Sequence, residues 1–367
     1  MDPLSPRERV FRTLAHQIPD RMPVTLDVGA GAGISGPYLD VFRANTGADD
    51  PAEYFDYDIR PAPAPLTPTA SDFTPYHATI PPGTVFDEFG VGRVASKEFP
   101  LGLHLEPWKT FTTPRQILDY PFPIFALSEE TAAQIRRIKA RGYVASAIGG
   151  SVNEWCYYLR SMEQFMVDLA DRPDMAQIIL DRVTDLSAYT GARLAEAGAD
   201  IITFFGDVGG QNALLMSPAM WRRWIRPCWE RIFAAARRVD PETKILFHSC
   251  GYIVPIIPDM IALGLDILNP VQPEAMHPIH IKRTFGDRLA LWGGVGLQTT
   301  MASPDPEVVR AQVRHLIEAW AVGGGAMVTI TNTLPVDIPW QNVIALVDTV
   351  RDYSPQVYSR FRRTGEA

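Results

Sequence analysis

From residue 129 onward the chain alternates between two hydrophobic rhythms. Short apolar runs rich in β-branched residues stand at 143–148, 199–205, 244–248, 265–269, 289–293 and 326–330. They are apolar at successive positions, the pattern of strands covered on both faces in a parallel sheet flanked by helices. Between them lie stretches with helical spacing at 129–141, 161–198 (broken near Arg172-Pro173), 218–238, 255–263, 279–285, 305–321 and 340–351. With residues 24–27 included, at least seven strands alternate with helices. That count predicts an α/β fold of the (β/α)8 type, a TIM barrel, in preference to an open sheet.

The first third of the chain lacks this rhythm. Prolines cluster at 61–68, 75–82 and 121–123, and proline removes an amide donor and clashes with the preceding helical turn. Residues 28–125 therefore read as an irregular insertion with short strands such as 91–96, inside one barrel domain spanning 1–367. The eighth strand is expected within this N-terminal region. The glycine run at 29–36 lacks the spacing and the acidic partner of a dinucleotide-binding loop.

Composition narrows the function. Hydrophobic residues at 46% and charged residues at 21% of 367 exclude a disordered chain. The chain carries 34 basic and 42 acidic residues, for a net charge of −8. With no basic block it is a poor partner for nucleic acid or an anionic membrane. No apolar run is long enough to span a bilayer, and the charged N-terminal residues do not resemble a signal peptide, so a cytoplasmic location is expected. Three cysteines are too few for a disulfide framework.

In a barrel, chemistry gathers at the C-terminal ends of the strands. There this sequence places Asp27, then Gly149-Gly150 and Glu154, then Asp207 and Gln211, then His248 and Cys250. Asn269 and Gln272, Gly293, Gly294 and Gln298, and Thr331 and Asn332 follow at the later strands. His248-Ser249-Cys250-Gly251 is the sharpest of these. Residues two apart in an extended segment point the same way, so an imidazole and a thiol can reach one ion. Zinc takes such nitrogen and sulfur ligands but needs a third from the protein. The structural alternative is a buried cysteine beside a hydrogen-bonded histidine. Cys228 reads as a core residue, Cys156 as a weaker ligand candidate, and the Trp221, Trp224, Trp229 set as packing. Gly323 to Gly325 read as a helix stop.

Several segments together are similar to one known superfamily. They are RERVFRTLAHQIPDRMPV at 7–24, DEFGVGR at 87–93, GDVGGQNALLMSPAMWRRWIRPCWERI at 206–232, FHSCGYIVPIIPDMIALGLDILNPVQP at 247–273, LALWGGVGLQTTM at 289–301 and DIPWQNVIAL at 337–346. The chain resembles the uroporphyrinogen decarboxylase superfamily, especially its decarboxylase-like and corrinoid-linked methyltransferase branch. The resemblance implies a (β/α)8 barrel. The haem-pathway decarboxylase grips its substrate with an arginine-rich N-terminal segment, whereas Val24 to Ser35 here contains no arginine.

In the methyltransferase branch a His-x-Cys pair binds zinc, which activates a thiol acceptor; the matching residues are His248 and Cys250. A third ligand usually comes from the last strand end, but Thr331-Asn332-Thr333 offers neither cysteine nor histidine. Gly296 stands where relatives carry an aspartate. Asp207 or Glu154 could complete the site as an oxygen ligand. The resemblance thus implies methyl transfer between a thiol and a corrinoid, free or on a partner protein, or a small methylated donor. Gln211, Gln298, Asn332, Asn269 and Gln272 would orient the substrate. The rival reading is metal-free decarboxylation of a small carboxylated or porphyrin-like substrate, with Asp27 or Asp207 stabilising a protonated intermediate. A third is a non-catalytic ligand-binding barrel. The apolar, tryptophan-bearing helix at 218–236 would permit a homodimer.

Overall fold

The computed structural model describes residues 3–27, 29, 33–63, 71–94, 103–123 and 127–364. Its strands in chain order are β1 (Ile59–Pro61), β2 (Val85–Phe86), β3 (Gly92–Val94), β4 (Leu103–Leu105), β5 (Val144–Ser151), β6 (Ile201–Phe205), β7 (Lys244–His248), β8 (Ile267–Asn269), β9 (Ala290–Val295) and β10 (Ala326–Ile330). Seven of them form one parallel sheet in the order β1-β5-β6-β7-β8-β9-β10. The other three, β2-β3-β4, form a separate antiparallel sheet.

The large sheet curls. Ile59, Val144, Ile201, Leu246, Ile267, Ala290, Trp292 and Met327 belong to one buried cluster, so all seven strands contribute to it. Adjacent residues Val24 and Thr25 bond beside both edges, β1 and β10, which a flat seven-stranded sheet would hold far apart. Val10 joins the same cluster, with Phe11 and Leu14 packed against it. The helix Pro6–Leu14 thus plugs the end of the curl where the strands begin. The helices pack on the outside, where a second and larger core lies.

Residues 24–27, expected as a strand, lie in the gap between β1 and β10 without forming a ladder. The Asp58 N–H, just before β1, donates to Val24 O (2.9 Å). The Thr329 hydroxyl, in β10, donates to Thr25 O (2.5 Å). The architecture is therefore barrel-like, with seven laddered strands and an extended segment bridging the opening.

The expectation that 28–125 is an irregular insertion needs correction. β1 falls inside that range, as do the helices Tyr38–Thr46, Pro51–Tyr54 and Pro114–Asp119. Pro51 and Pro114 stand in the first turns of their helices, where the missing N–H would have had no intrahelical partner. Proline there starts a helix instead of preventing one. Residues 64–68 of the first proline cluster, 30–32 of the glycine run and 95–96 of the strand expected at 91–96 lie outside the described residues.

Three further elements differ. An unexpected helix, Asn153–Arg160, follows β5. The helix expected at 218–238 is two helices, Pro218–Trp224 and Arg226–Val239, with Pro227 in the first turn of the second. The last helix continues through Pro355 to Thr364, because Val357 and Tyr358 beyond the proline are fully buried. No helix among the described residues is long and apolar enough to cross a membrane.

The opening of the curl is tied by one buried carboxylate. Asp58 is fully buried and accepts from Arg9 Nη1 (2.6 Å), Arg21 Nη1 (2.7 Å) and the Val24 N–H (2.6 Å). It joins the plug helix, the bridging segment and β1. Removing one partner of a buried ion pair strands the other without solvent, at about 3–5 kcal/mol. Asp58→Ala is therefore expected to lose about that much stability in urea titrations, and a loss below about 1 kcal/mol would contradict this role.

Candidate functional site

The site is built where β6 and β7 end. Strand pairing places Phe205 opposite His248, and the Gly206 N–H continues the ladder to His248 O (2.9 Å). Asp207 and Cys250 each lie two residues beyond a strand end, so their loops leave the sheet side by side. The loops touch through two glycines. A Cβ on Gly209 would lie 2.6 Å from Cys250 O, and one on Gly251 (φ +80°) would lie 2.4 Å from Gly209 O. Only the lack of side chains allows this approach.

As a result, one ligand atom each from Asp207, His248 and Cys250 lie within 4.8 Å of one another. His248 Nε2 is 3.5 Å from Cys250 Sγ and 4.0 Å from Asp207 Oδ1. The Cys250 N–H also donates to Asp207 Oδ1 (2.8 Å), which fixes the carboxylate over the thiol.

The histidine is held in one orientation. Asn269, its neighbour across the β7–β8 ladder, is fully buried and donates from Nδ2 to Trp292 O (2.9 Å). That turns Asn269 Oδ1 toward His248 Nδ1, 2.5 Å away, where it accepts the ring N–H. The Nε2 lone pair is then left to face Cys250 and Asp207, the arrangement that carbonyl-type partners impose on metal-binding histidines. Asn269, read from the sequence as a substrate contact, has both amide atoms engaged in orienting His248.

The electrostatics of the site are dominated by carboxylates. Burial, and then the charge of Asp207, pushes the Cys250 thiol up to about 12. Asn332, exposed at the end of β10, donates to Cys250 Sγ (3.2 Å). The Asp207 N–H donates to Glu154 Oε1 (2.9 Å), and the Ser151 hydroxyl donates to the other Glu154 oxygen. Burial, followed by the Asp207 charge, pushes the Glu154 carboxyl up to about 7.

The remaining candidates frame this centre. Gln272 Oε1 accepts from the Gly251 N–H (2.9 Å), steadying the Cys250 loop. Gln211 Nε2 donates to Glu274 O (2.9 Å), and the Gln298 backbone N–H donates to Glu274 Oε1 (3.2 Å). Asp27 is buried and outside the group of three; its carboxylate accepts from the Gly29 N–H (2.9 Å) and its carbonyl from Trp292 Nε1 (3.0 Å). Cys156 and Cys228 are buried, and the Cys228 thiol donates to Trp224 O one helical turn back (3.3 Å). Ser151 and Glu274 were not anticipated. Ser151 and Glu154 have the Ser-x-x-Glu spacing that marks a helix start, which could have revealed both Ser151 and the helix. Glu274 lies five residues past β8 and carries no such signal.

The donor set fits zinc. Imidazole nitrogen, thiolate and carboxylate are all zinc ligands, and three protein ligands with one open position characterise catalytic sites. His248 carries the outer hydrogen bond that such ligands have.

The sequence model of the uroporphyrinogen decarboxylase family matches residues 126–353. The chain belongs to this family. Among curated relatives, uroporphyrinogen decarboxylase of Coxiella burnetii is 25% identical over 232 residues, covering 59% of this chain and 60% of that protein. The methylcobamide:CoM methyltransferase of Methanosarcina barkeri is 25% identical over 195 residues, covering 53% and 54%. The matches thus span little more than half the length of these relatives. A solved methyltransferase from Methanosarcina mazei superposes with a TM-score of 0.65 over 95% of this chain and 99% of its own, at 18% identity. That likeness shows a shared fold extending through the N-terminal third, which the family match leaves out.

The position of Glu154 has a measurable consequence. Its carboxyl keeps a proton to higher pH in the folded chain than in the unfolded one. Between about pH 4.5 and 7 the folded state binds more protons, so stability falls as pH rises through that window and stays lowered above it. Glu154→Gln removes the effect. In urea titrations with EDTA, the variant is expected to gain on the wild type from pH 4.5 to 7, by on the order of 3 kcal/mol, and then to level off. A difference that stays flat across the window would contradict the assignment.

Proposed function

We propose that the chain is a zinc-dependent methyltransferase that moves a methyl group between a corrinoid, or a small methylated donor, and a thiol. The observation that carries this reading is the convergence of His248 Nε2, Cys250 Sγ and the Asp207 carboxylate within 4.8 Å at two adjacent strand ends. His248, Cys250 and Asp207 would hold the metal. Zinc, when bound, supplies a Lewis acid that makes a thiol reactive as thiolate at neutral pH. The name of the Methanosarcina barkeri relative, which pairs methylcobamide with CoM, supports a corrinoid on the donor side and motivates a corrinoid protein as partner.

The rest is the work of the chain's own residues. Asn269 keeps the His248 ring turned, and Asn332 donates to the Cys250 sulfur. Glu154, beside Asp207, takes up the proton that the acceptor thiol gives up. The S–H bond breaks, an S–CH3 bond forms, and the electron pair of the old bond to methyl stays with the donor.

A second reading is metal-free decarboxylation, the activity in the name of the Coxiella burnetii relative. The Glu154–Asp207 carboxylate pair favours it, since a carboxyl near neutrality can deliver a proton to a carbanion left by CO2.

Elemental analysis of protein purified without chelators separates the two. About one zinc per chain is expected, lost in Cys250→Ala and in His248→Ala. A metal-free wild type would overturn the zinc mechanism and leave decarboxylation. Asn269→Ala is expected to weaken zinc binding about 10- to 100-fold, the usual effect of removing a ligand's outer partner, as read by competition with a chromophoric chelator. Unchanged affinity would show that Asn269 does not orient the ligand.

A further inference from the structure

The antiparallel sheet β2-β3-β4 has no part in the site described so far. Its turn at 87–91 and the strand β3 pack against the helix Asn153–Arg160, which carries Glu154. Between them lies a cavity of about 270 Å3. Phe89 and Val91 from the turn and Trp155, Tyr158 and Leu159 from the helix make its apolar lining. Glu154 and Tyr158 are four residues apart on that helix, so they share a face and lie one turn from each other. The segment DEFGVGR at 87–93 thus supplies one wall of an enclosure that stands one helical turn from the β6–β7 mouth.

The walls are held in place before any ligand arrives. Asp87 Oδ1 accepts from the N–H groups of Phe89 and Val91 (both 3.0 Å), which fixes the turn, and its Oδ2 accepts from Arg93 Nη2 (3.1 Å). The Phe89 and Trp155 ring centroids are 4.8 Å apart, and a Cβ on Gly150 would lie 3.0 Å from Trp155 Cη2, so the indole fills the space over that glycine. Arg93 lies over the Tyr158 ring, 5.5 Å from its centroid, and Nη1 donates to Nε2 of His104, the residue opposite on β4 (3.2 Å). Arginine only donates, so His104 accepts there as a neutral imidazole.

Size and charge decide what fits. A cavity of about 150 Å3 takes benzene, so this one has room for a substituted single ring or two fused rings, and a tetrapyrrole does not fit. The aromatic walls suit a flat ring through stacked and edge-to-face contacts. The polar edge carries both signs: the Arg93 charge is matched by Asp87, and Glu88 adds a half-buried carboxylate. An anion finds no uncompensated positive charge there, and a cation meets Arg93. A neutral group that both donates and accepts is served by each.

We propose that this cavity is a binding site for an uncharged aromatic small molecule, a single ring or two fused rings with a hydroxyl or amide at the edge. The ring lies among Phe89, Trp155 and Tyr158, with its polar edge toward Arg93. The proposal goes beyond methyl transfer, requires no metal, and gives these residues a binding role with no part in bonds that form or break.

The test is a set of fluorine NMR titrations of the full-length protein with 4-fluorophenol, 4-fluorobenzoate and 4-fluorobenzylammonium at neutral pH. 4-Fluorophenol is expected to bind saturably, and each charged analogue more weakly by on the order of tenfold. Phenol is expected to displace it severalfold better than cyclohexanol, which has the hydroxyl without the aromatic face. Tyr158→Leu removes one wall and is expected to weaken 4-fluorophenol severalfold. Arg93→Gln, at a half-exposed side chain, tests the charge balance: 4-fluorobenzylammonium is expected to gain severalfold on 4-fluorobenzoate relative to the wild type. Circular dichroism checks that each variant folds, and if Tyr158→Leu does not, Arg93→Gln decides. No saturable binding of 4-fluorophenol up to its solubility, a charged analogue that binds as well, or affinities unchanged in the folded variants overturns the proposal. Zinc content measured on the same preparations keeps the two proposals apart. Binding of 4-fluorophenol by a metal-free wild type sustains this site while the zinc reading falls. A zinc-containing protein that does not bind it does the reverse.

Discussion

A curled parallel sheet must close, and here closure hangs on the carboxylate of Asp58. Seven strands ladder together, but β1 and β10 are not paired with each other, and the bridging segment at 24–27 makes no ladder of its own. Left alone, that opening would expose backbone groups that must find partners. Asp58 answers three partners at once, Arg9, Arg21 and the Val24 N–H. The plug helix and the bridging segment are thereby placed, and the interior cluster that both edges share is sealed. The end that carries the candidate site depends on this indirectly, since β6 and β7 pair as part of the same curl.

At the other end of the strands, backbone proximity does what closure does below. The glycine contact between the loops after β6 and β7 brings a carboxylate, an imidazole and a thiol into one group, although each comes from an ordinary strand end. Around them the polar residues form a chain of support: Trp292 O to Asn269, Asn269 to His248, Ser151 to Glu154, and Glu154 to the Asp207 N–H. His248 and Asp207 are preorganised because each is braced by a residue that is itself braced.

How much of this was legible in the sequence follows from how each feature is encoded. The runs at 244–248 and 326–330 matched strands to the residue, because a strand buried on both faces writes its identity into every position. β1 was missed because three residues beside a proline cluster are too few to carry a period. The helices that begin at Pro51 and Pro114 were not expected, since residue type alone does not tell a first turn from an interior one. His248, Cys250 and Asp207 could be picked out because strand ends and a two-residue spacing are local signals. The role of Asn269 could not, because it depends on the register of β8 against β7. Glu274 was invisible for a related reason: its place is defined by an absent side chain at position 296, more than twenty residues away.

The bridging segment also bears on how the chain comes to fold as it leaves the ribosome. Thr25 waits for Thr329, and the Met22 N–H waits for the Ser354 hydroxyl (3.0 Å), partners separated by 304 and 332 residues. At the pace of synthesis, the bridging segment exists for many seconds before these two partners have been made. The helical units and parallel pairs between β5 and β9 can assemble in that interval from neighbours in sequence. The N-terminal segment cannot, and its apolar side chains, Met22, Val24 and Leu26, all buried in the finished protein, stay exposed until the last helix emerges. The bridging segment thus cannot take its final contacts until residues 329 and 354 have been made, and over that interval its apolar side chains offer a chaperone something to hold.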